Sequence, residues 1–184
     1  MRAGPAMARV IARERWTEVP WRNGQGVTHM IWPQPDCDEY SGLQIHHTPI
    51  QQSGPFSLYQ GFERILTLVA GSALVLTVDG APVLIQPFVP VRFAGEASVE
   101  VHLVDGAVEV FNVIYSRDRW QEVDAIQPSS TAGLTIVHRG AGSLSTSVGA
   151  ATKKLAKADT FLAEWPVVTE PSTGPFVHLR LQRR

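Results

Sequence analysis

The run Ala73-Leu74-Val75-Leu76-Thr77-Val78-Asp79-Gly80-Ala81-Pro82-Val83-Leu84-Ile85 decides the fold. Two apolar segments flank an Asp-Gly pair, and Asp-Gly supplies the positive φ angles that a two-residue hairpin turn demands. The same grammar extends in both directions. Leu43 to Thr48, Ile65 to Val69, Val91 to Phe93, Val99 to Leu103 and Val108 to Tyr115 are rich in Val, Ile, Leu and Phe, with Ala70-Gly71, Ala94-Gly95-Glu96 and Asp105-Gly106 as turns between them. Upstream, Ala8 to Ile11 and Thr28 to Trp32 read as strands, Trp16 to Pro20 as a turn, and Pro33 to Gly42 as an exposed excursion. Downstream of the polar connector Gln127 to Thr131, a second β series comprises Leu134 to His138, Leu144 to Val148, Asp159 to Trp165 and Phe176 to Leu181. Lys153 to Ala158 has helix propensity but is so short that a turn is as good a reading. Many short strands with regular turns predict an all-β, antiparallel sandwich or barrel. The longer first half is expected over residues 8–120 and the shorter second half over 121–184, with no separable linker.

Composition narrows the function classes. The chain has 184 residues, 44% hydrophobic and 18% charged, as in ordinary globular proteins. A formal net charge of -1 provides no field for nucleic acid or anionic lipid. Cys37, the single cysteine, rules out an internal disulfide, and the carboxylates of Asp36, Asp38 and Glu39 disfavour its thiolate. No apolar run is long enough to cross a bilayer, and residues Met1 to Met7 lack the apolar core of a signal peptide, so a cytoplasmic protein without a membrane partner is expected.

Familiar catalytic patterns are weak. Of six histidines only His46 and His47 are close in sequence, and neighbours on a strand face opposite ways. A Glu100, His102 and His46 set is the best metal alternative, but no dense ligand spacing supports it, so neither metal nor cofactor is expected. No Gly-x-Ser-x-Gly elbow occurs, and Gly24-Gln25-Gly26 lacks the lysine and helix of a phosphate loop. No catalytic residue is assigned.

Two constellations remain. Trp21-Arg22-Asn23-Gly24-Gln25-Gly26-Val27-Thr28 joins an aromatic face, a cation, an amide and a close-approach backbone. The second, Gly54-Pro55-Phe56-Ser57 to Arg64, sets an arginine at the mouth of the apolar strand Ile65 to Val69, with Phe56, Tyr59 and Phe62 as walls. A permanently charged guanidinium there needs a carboxylate such as Glu63 or Glu96, a set of carbonyls, or an anionic ligand.

Together these segments resemble the HutD/Ves family of small bacterial cupin-like proteins. The resemblance rests on Trp21-Arg22-Asn23-Gly24-Gln25-Gly26-Val27-Thr28, Gly54-Pro55-Phe56-Ser57 with Gly61-Phe62-Glu63-Arg64, Phe93-Ala94-Gly95-Glu96, and Val110-Phe111-Asn112-Val113, in that order, over about Val10 to Arg117. It implies a bicupin, two antiparallel jelly-roll cupin barrels in one chain, the first with a small metal-free pocket. It also implies a role in histidine utilisation, sensing or buffering a small carboxylate such as urocanate or N-formylglutamate. His46-His47, where the family usually has small and aliphatic residues, and Gln60, in place of a common proline, depart from the pattern.

The expected function is therefore a non-metal binding protein for a small carboxylate. Arg64 would fork onto the carboxylate, Asn112 and Asn23 would hydrogen-bond a second polar group, and Phe56, Phe93 and Phe111 would form walls. A cupin-type enzyme acting on a small organic acid through His46, His47 or His102 is the alternative. An interaction module using Trp120 and Trp165, or a homodimer joined at sheet edges, is a third class.

Overall fold

The computed structural model describes residues 8–21, 24, 26–35, 40–123, 133–139, 144–148, 151–157, 159–164, 168–169 and 175–184. In chain order the strands are β1 (Ala8–Ile11), β2 (Thr17–Pro20), β3 (Val27–Trp32), β4 (Leu43–Ile50), β5 (Gly54–Pro55), β6 (Phe62–Ala70), β7 (Leu74–Val78), β8 (Ala81–Ile85), β9 (Val91–Ala94), β10 (Val99–Leu103), β11 (Val108–Ser116), β12 (Trp120–Glu122), β13 (Gly133–Arg139), β14 (Leu144–Val148), β15 (Ala151–Leu155), β16 (Thr160–Glu164), β17 (Val168–Thr169) and β18 (Phe176–Arg183). The deciding hairpin forms as its sequence demands. Val78 pairs with Ala81 across Asp79-Gly80, and both turn residues take positive φ, 47° and 84°.

The chain divides into two compact units, one of residues 16–119 and one that combines residues 8–15 with 120–184. In the first, a six-stranded antiparallel sheet in the order β2-β3-β4-β11-β6-β9 faces a four-stranded sheet in the order β5-β10-β7-β8. Strand alternation explains the core between them. Ile50, Leu66, Leu68, Val108 and Val110 project from the larger sheet onto Leu74, Leu76, Ile85, Val99 and Val101 of the smaller. Outward positions of β10, such as Glu100, are exposed.

The second unit has a five-stranded sheet, β1-β16-β13-β18-β12, and a three-stranded one, β15-β14-β17. Val137, Leu155, Phe161 and Ala163 pack between these sheets. Ala8 pairs with Ala163 and Ile11 with Thr160, so β1 belongs to this unit and the boundary expected at residue 120 has an N-terminal counterpart at Trp16. A strand of four residues carries no local signal for its partner; tertiary pairing selects it.

Other sequence expectations are corrected in detail. Among the described residues the ladders remain separate sheets, so the strands stack as open two-sheet layers where closed barrels were expected. Thr17–Pro20 forms edge strand β2 where a turn was expected; all four residues are exposed, so no apolar alternation announces it. Of Lys153 to Ala158, Lys153 to Leu155 extend β15, because pairing with β14 satisfies a backbone too short to sustain a helix, and the turn that was the other reading follows, with Asp159 N–H donating to the Ala156 carbonyl at 3.0 Å. Trp120 is buried beneath the Arg183 guanidinium, 5.3 Å from its ring centroid, and offers no exposed aromatic surface. Cys37 and Trp165 lie outside the described residues, and among those described no helix is long and apolar enough to cross a membrane.

Gly80→Ala puts a Cβ at φ 84°. It is expected to lower unfolding free energy by about 1 kcal/mol in urea titration, with an unchanged m-value.

Candidate functional site

Three neighbouring strands of the six-stranded sheet change character along their inward face. The register aligns Ile50 with Val108, then Thr48 with Val110 and Leu68, then His46 with Asn112 and Leu66, and finally Ile114 with Arg64 and Phe93. The face is thus apolar at one end and polar at the other. His46, Asn112 and Arg64 share the parity of the core residues and are 7%, 5% and 5% exposed.

Arg64 occupies an aromatic cage. Its guanidinium carbon lies 4.9 Å from the Phe56 ring centroid, 5.1 Å from that of Phe93 and 5.4 Å from that of Tyr59. Each such contact in a desolvated setting contributes about 0.5 to 2 kcal/mol. Nη1 donates to the Ser57 carbonyl at 3.2 Å, while buried Nε has no partner. Burial lowers the guanidinium to about 10, with the Tyr59 phenol acting in the opposite direction.

The carboxylates that could have neutralised Arg64 are engaged elsewhere. Arg117 donates to Glu63 at 2.9 Å and also to Glu96, whose Oε1 accepts the Gly61 N–H at 2.6 Å. Among the described residues Arg64 therefore has no acidic partner. The same clamp orders the cage: Tyr59 N–H donates to the Gly95 carbonyl and Gly95 N–H to the Phe62 carbonyl, both at 2.8 Å. A Cβ at residue 95 would lie 2.2 Å from the Tyr59 carbonyl oxygen, which is why this turn requires glycine.

His46 faces Asn112 directly across the β4–β11 ladder. Its Nε2 and the Asn112 Oδ1 are both buried without a hydrogen-bond partner. Burial, and secondarily the Arg64 charge, pushes the imidazole down to about 4, so it is neutral at pH 7. Beside it, Trp21 Nε1–H donates to Thr28 Oγ1 at 2.9 Å, and the Thr28 and Thr48 hydroxyls share one hydrogen bond of 3.1 Å. Two hydroxyl hydrogens serve that single bond, which leaves one over as a donor.

The structure brings together Arg64, Asn112, Phe56 and Phe93 of the residues expected from sequence. Phe111 is not among them. It neighbours Asn112 on one strand, pairs with His47 and Thr67, and so faces the opposite side of the sheet. Asn23 lies outside the described residues. The three-ligand alternative is not assembled: His102 projects from the outer face of β10 and shares a 3.1 Å hydrogen bond with Thr77. His47 lies on the face opposite His46, with Glu109 at 3.1 Å and the Trp16 ring 4.8 Å away. Tyr59, expected as a wall beside Arg64, and Thr28, the last residue of the Trp21 segment, are also there, while Thr48 and Arg117 complete the arrangement without having been assigned to it from sequence. Thr48 could have been found by parity, two residues from His46.

These features define a two-layer β protein with a caged cation and unsatisfied polar groups at one end of an apolar interior. The chain belongs to the HutD family, whose model matches residues 13–174. It is 33% identical over 118 residues to an uncharacterised 21.2 kDa protein in the hutC 3′ region of Pseudomonas putida, an alignment covering 61% of this chain and 60% of that relative. It is 32% identical over 101 residues to the protein Ves of Citrobacter koseri, covering 54% and 53%. The matched stretches thus span less than two thirds of these curated relatives. HutD from Pseudomonas fluorescens SBW25, solved in a formate condition, has 29% identity and a TM-score of 0.76, covering 97% of this chain and 100% of that one.

The clamp has an acid signature. The Gly61 N–H and then Arg117 hold the Glu96 carboxyl at about 2, below its ordinary 4.5. Its stabilising contribution is therefore present above pH 4.5 and is lost as pH falls towards 2. Thermal melts between those limits should decline less steeply with acid for Glu96→Gln than for wild type; parallel slopes would remove Glu96 from the clamp.

Proposed function

We propose that this chain is a cupin-type, two-unit binding protein for a small carboxylate metabolite, with a regulatory or buffering role in histidine utilisation. The observation that carries it is Arg64, buried, ringed by aromatics, without a carboxylate among the described residues and with Nε unspent. A ligand carboxylate would supply the missing counter-charge and accept hydrogen bonds from the guanidinium. Two β units, each with two stacked antiparallel sheets, support a cupin-like description of two units whose layers stay open among the described residues. The hutC neighbourhood named for the P. putida relative supports the pathway, and the formate condition of the P. fluorescens HutD structure supports a carboxylate. Urocanate and N-formylglutamate are the candidate ligands.

The protonation state of His46 favours binding over acid–base catalysis. An imidazole held near 4 is a weak base at neutral pH and is almost never the imidazolium that would act as a general acid.

Arg64→Ala is expected to weaken carboxylate binding by about 2 to 5 kcal/mol in calorimetry with urocanate, N-formylglutamate and formate. Equal affinities for wild type and variant would remove Arg64 from the site. Arg64→Met separates binding from folding. Because the native guanidinium lacks an acidic partner, this variant should lose binding while its melting temperature in the absence of ligand stays level or rises.

A further inference from the structure

We propose, resting on the carboxylate reading above, that His46 determines specificity, and that the ligand is a monocarboxylate whose other end is an uncharged hydrogen-bonding group rather than a second carboxylate. Hydroxyl, amide and azole ends all meet that description, which keeps urocanate of the two candidates and excludes N-formylglutamate, a dicarboxylate.

Among the described residues the inward face supplies one formal charge. Arg64 projects from β6, Asn112 from β11, His46 and Thr48 from β4, Met30 and Thr28 from β3, and Phe93 from β9. Phe56 and Tyr59 close the cage, and Tyr59 is the remaining titratable group there. Glu63 and Glu96 face Arg117. One carboxylate on Arg64 therefore balances the site. A second would be desolvated against an amide and an imidazole that burial and, secondarily, Arg64 keep neutral, with no cation among the described residues to meet it.

The opposite end of the ligand has partners that suit an uncharged group. His46 Nε2 and Asn112 Oδ1 are unpartnered cross-strand neighbours, and the Thr28–Thr48 pair has one hydroxyl hydrogen to offer. A hydroxyl, amide or azole can both donate and accept among these atoms; a carboxylate can only accept. His46 lies two strands from Arg64 along the register, so a ligand must extend beyond its carboxylate to reach both. A ligand with a bare alkyl end would leave these buried atoms unpaired.

The test compares butyrate, 4-hydroxybutyrate and succinate, which share a four-carbon chain and differ at one end, with urocanate as the azole acid. Calorimetry at about pH 7.5 should find 4-hydroxybutyrate and urocanate bound at least about ten-fold tighter than succinate. His46→Ala should weaken 4-hydroxybutyrate and urocanate about five-fold or more relative to butyrate. His46→Lys, which restores a cation, should move the preference towards succinate; His46→Ala decides the matter if the lysine variant does not fold.

The outcomes separate the two levels. Succinate bound by wild type as tightly as 4-hydroxybutyrate overturns the inference and leaves the carboxylate site standing. Equal losses for all acids in His46→Ala reduce His46 to a structural role and also overturn it. No binding of any acid to wild type overturns the carboxylate reading and this inference with it.

Discussion

A guanidinium held among three aromatic rings, with its neighbouring carboxylates turned away, constrains everything around it. Arg64 cannot shed its charge at neutral pH, since even after burial it titrates near 10. The surrounding chain is arranged to tolerate it. Ring faces provide negative quadrupole density and the Ser57 carbonyl takes one N–H. The loop bearing Phe56 and Tyr59 is tied to Gly95, where no side chain would fit. Arg117 engages both Glu63 and Glu96, and this keeps the nearest acids from collapsing onto Arg64.

That fixed charge dictates its neighbours. Burial already disfavours a second cation on the same inward face, the Arg64 charge adds to that, and His46 stays neutral. Among the described residues the site therefore combines one unbalanced charge with several uncharged hydrogen-bonding groups. Strand alternation supplies the economy of means: the residues of β4, β6 and β11 that build the apolar core continue in step into the polar end. Core and site are one surface, read from one end to the other.

Much of this was legible from sequence because two local signals are strong. Asp79-Gly80 signals its hairpin, and the resemblance carried by the segments around Phe56, Arg64, Phe93 and Asn112 implies that they form a group. What failed, failed for lack of a local signal. Val110 to Tyr115 is buried on both faces, so alternation separates Phe111 from Asn112 without revealing which one faces the core. His46 and His47 posed the same ambiguity, resolved only by pairing with Asn112 and Phe111. Arg117 lies 54 residues from Glu63 in sequence, and its claim on both acids is a purely tertiary fact. β1 joined the distant unit for a similar reason.

The arrangement is also costly for the fold. Leucine or methionine in place of Arg64, His46 and Asn112 would continue the core that Leu66, Val110 and Ile50 begin, with no buried polar atom left unpaired. Selection for stability alone removes such groups or pairs them internally, and this chain had the means, with Glu63 and Glu96 close in sequence or space. Those acids instead brace the loop that covers Arg64. A positive centre with its natural counter-ions diverted, facing atoms that lack partners among the described residues, is the arrangement that the proposed carboxylate ligand would complete.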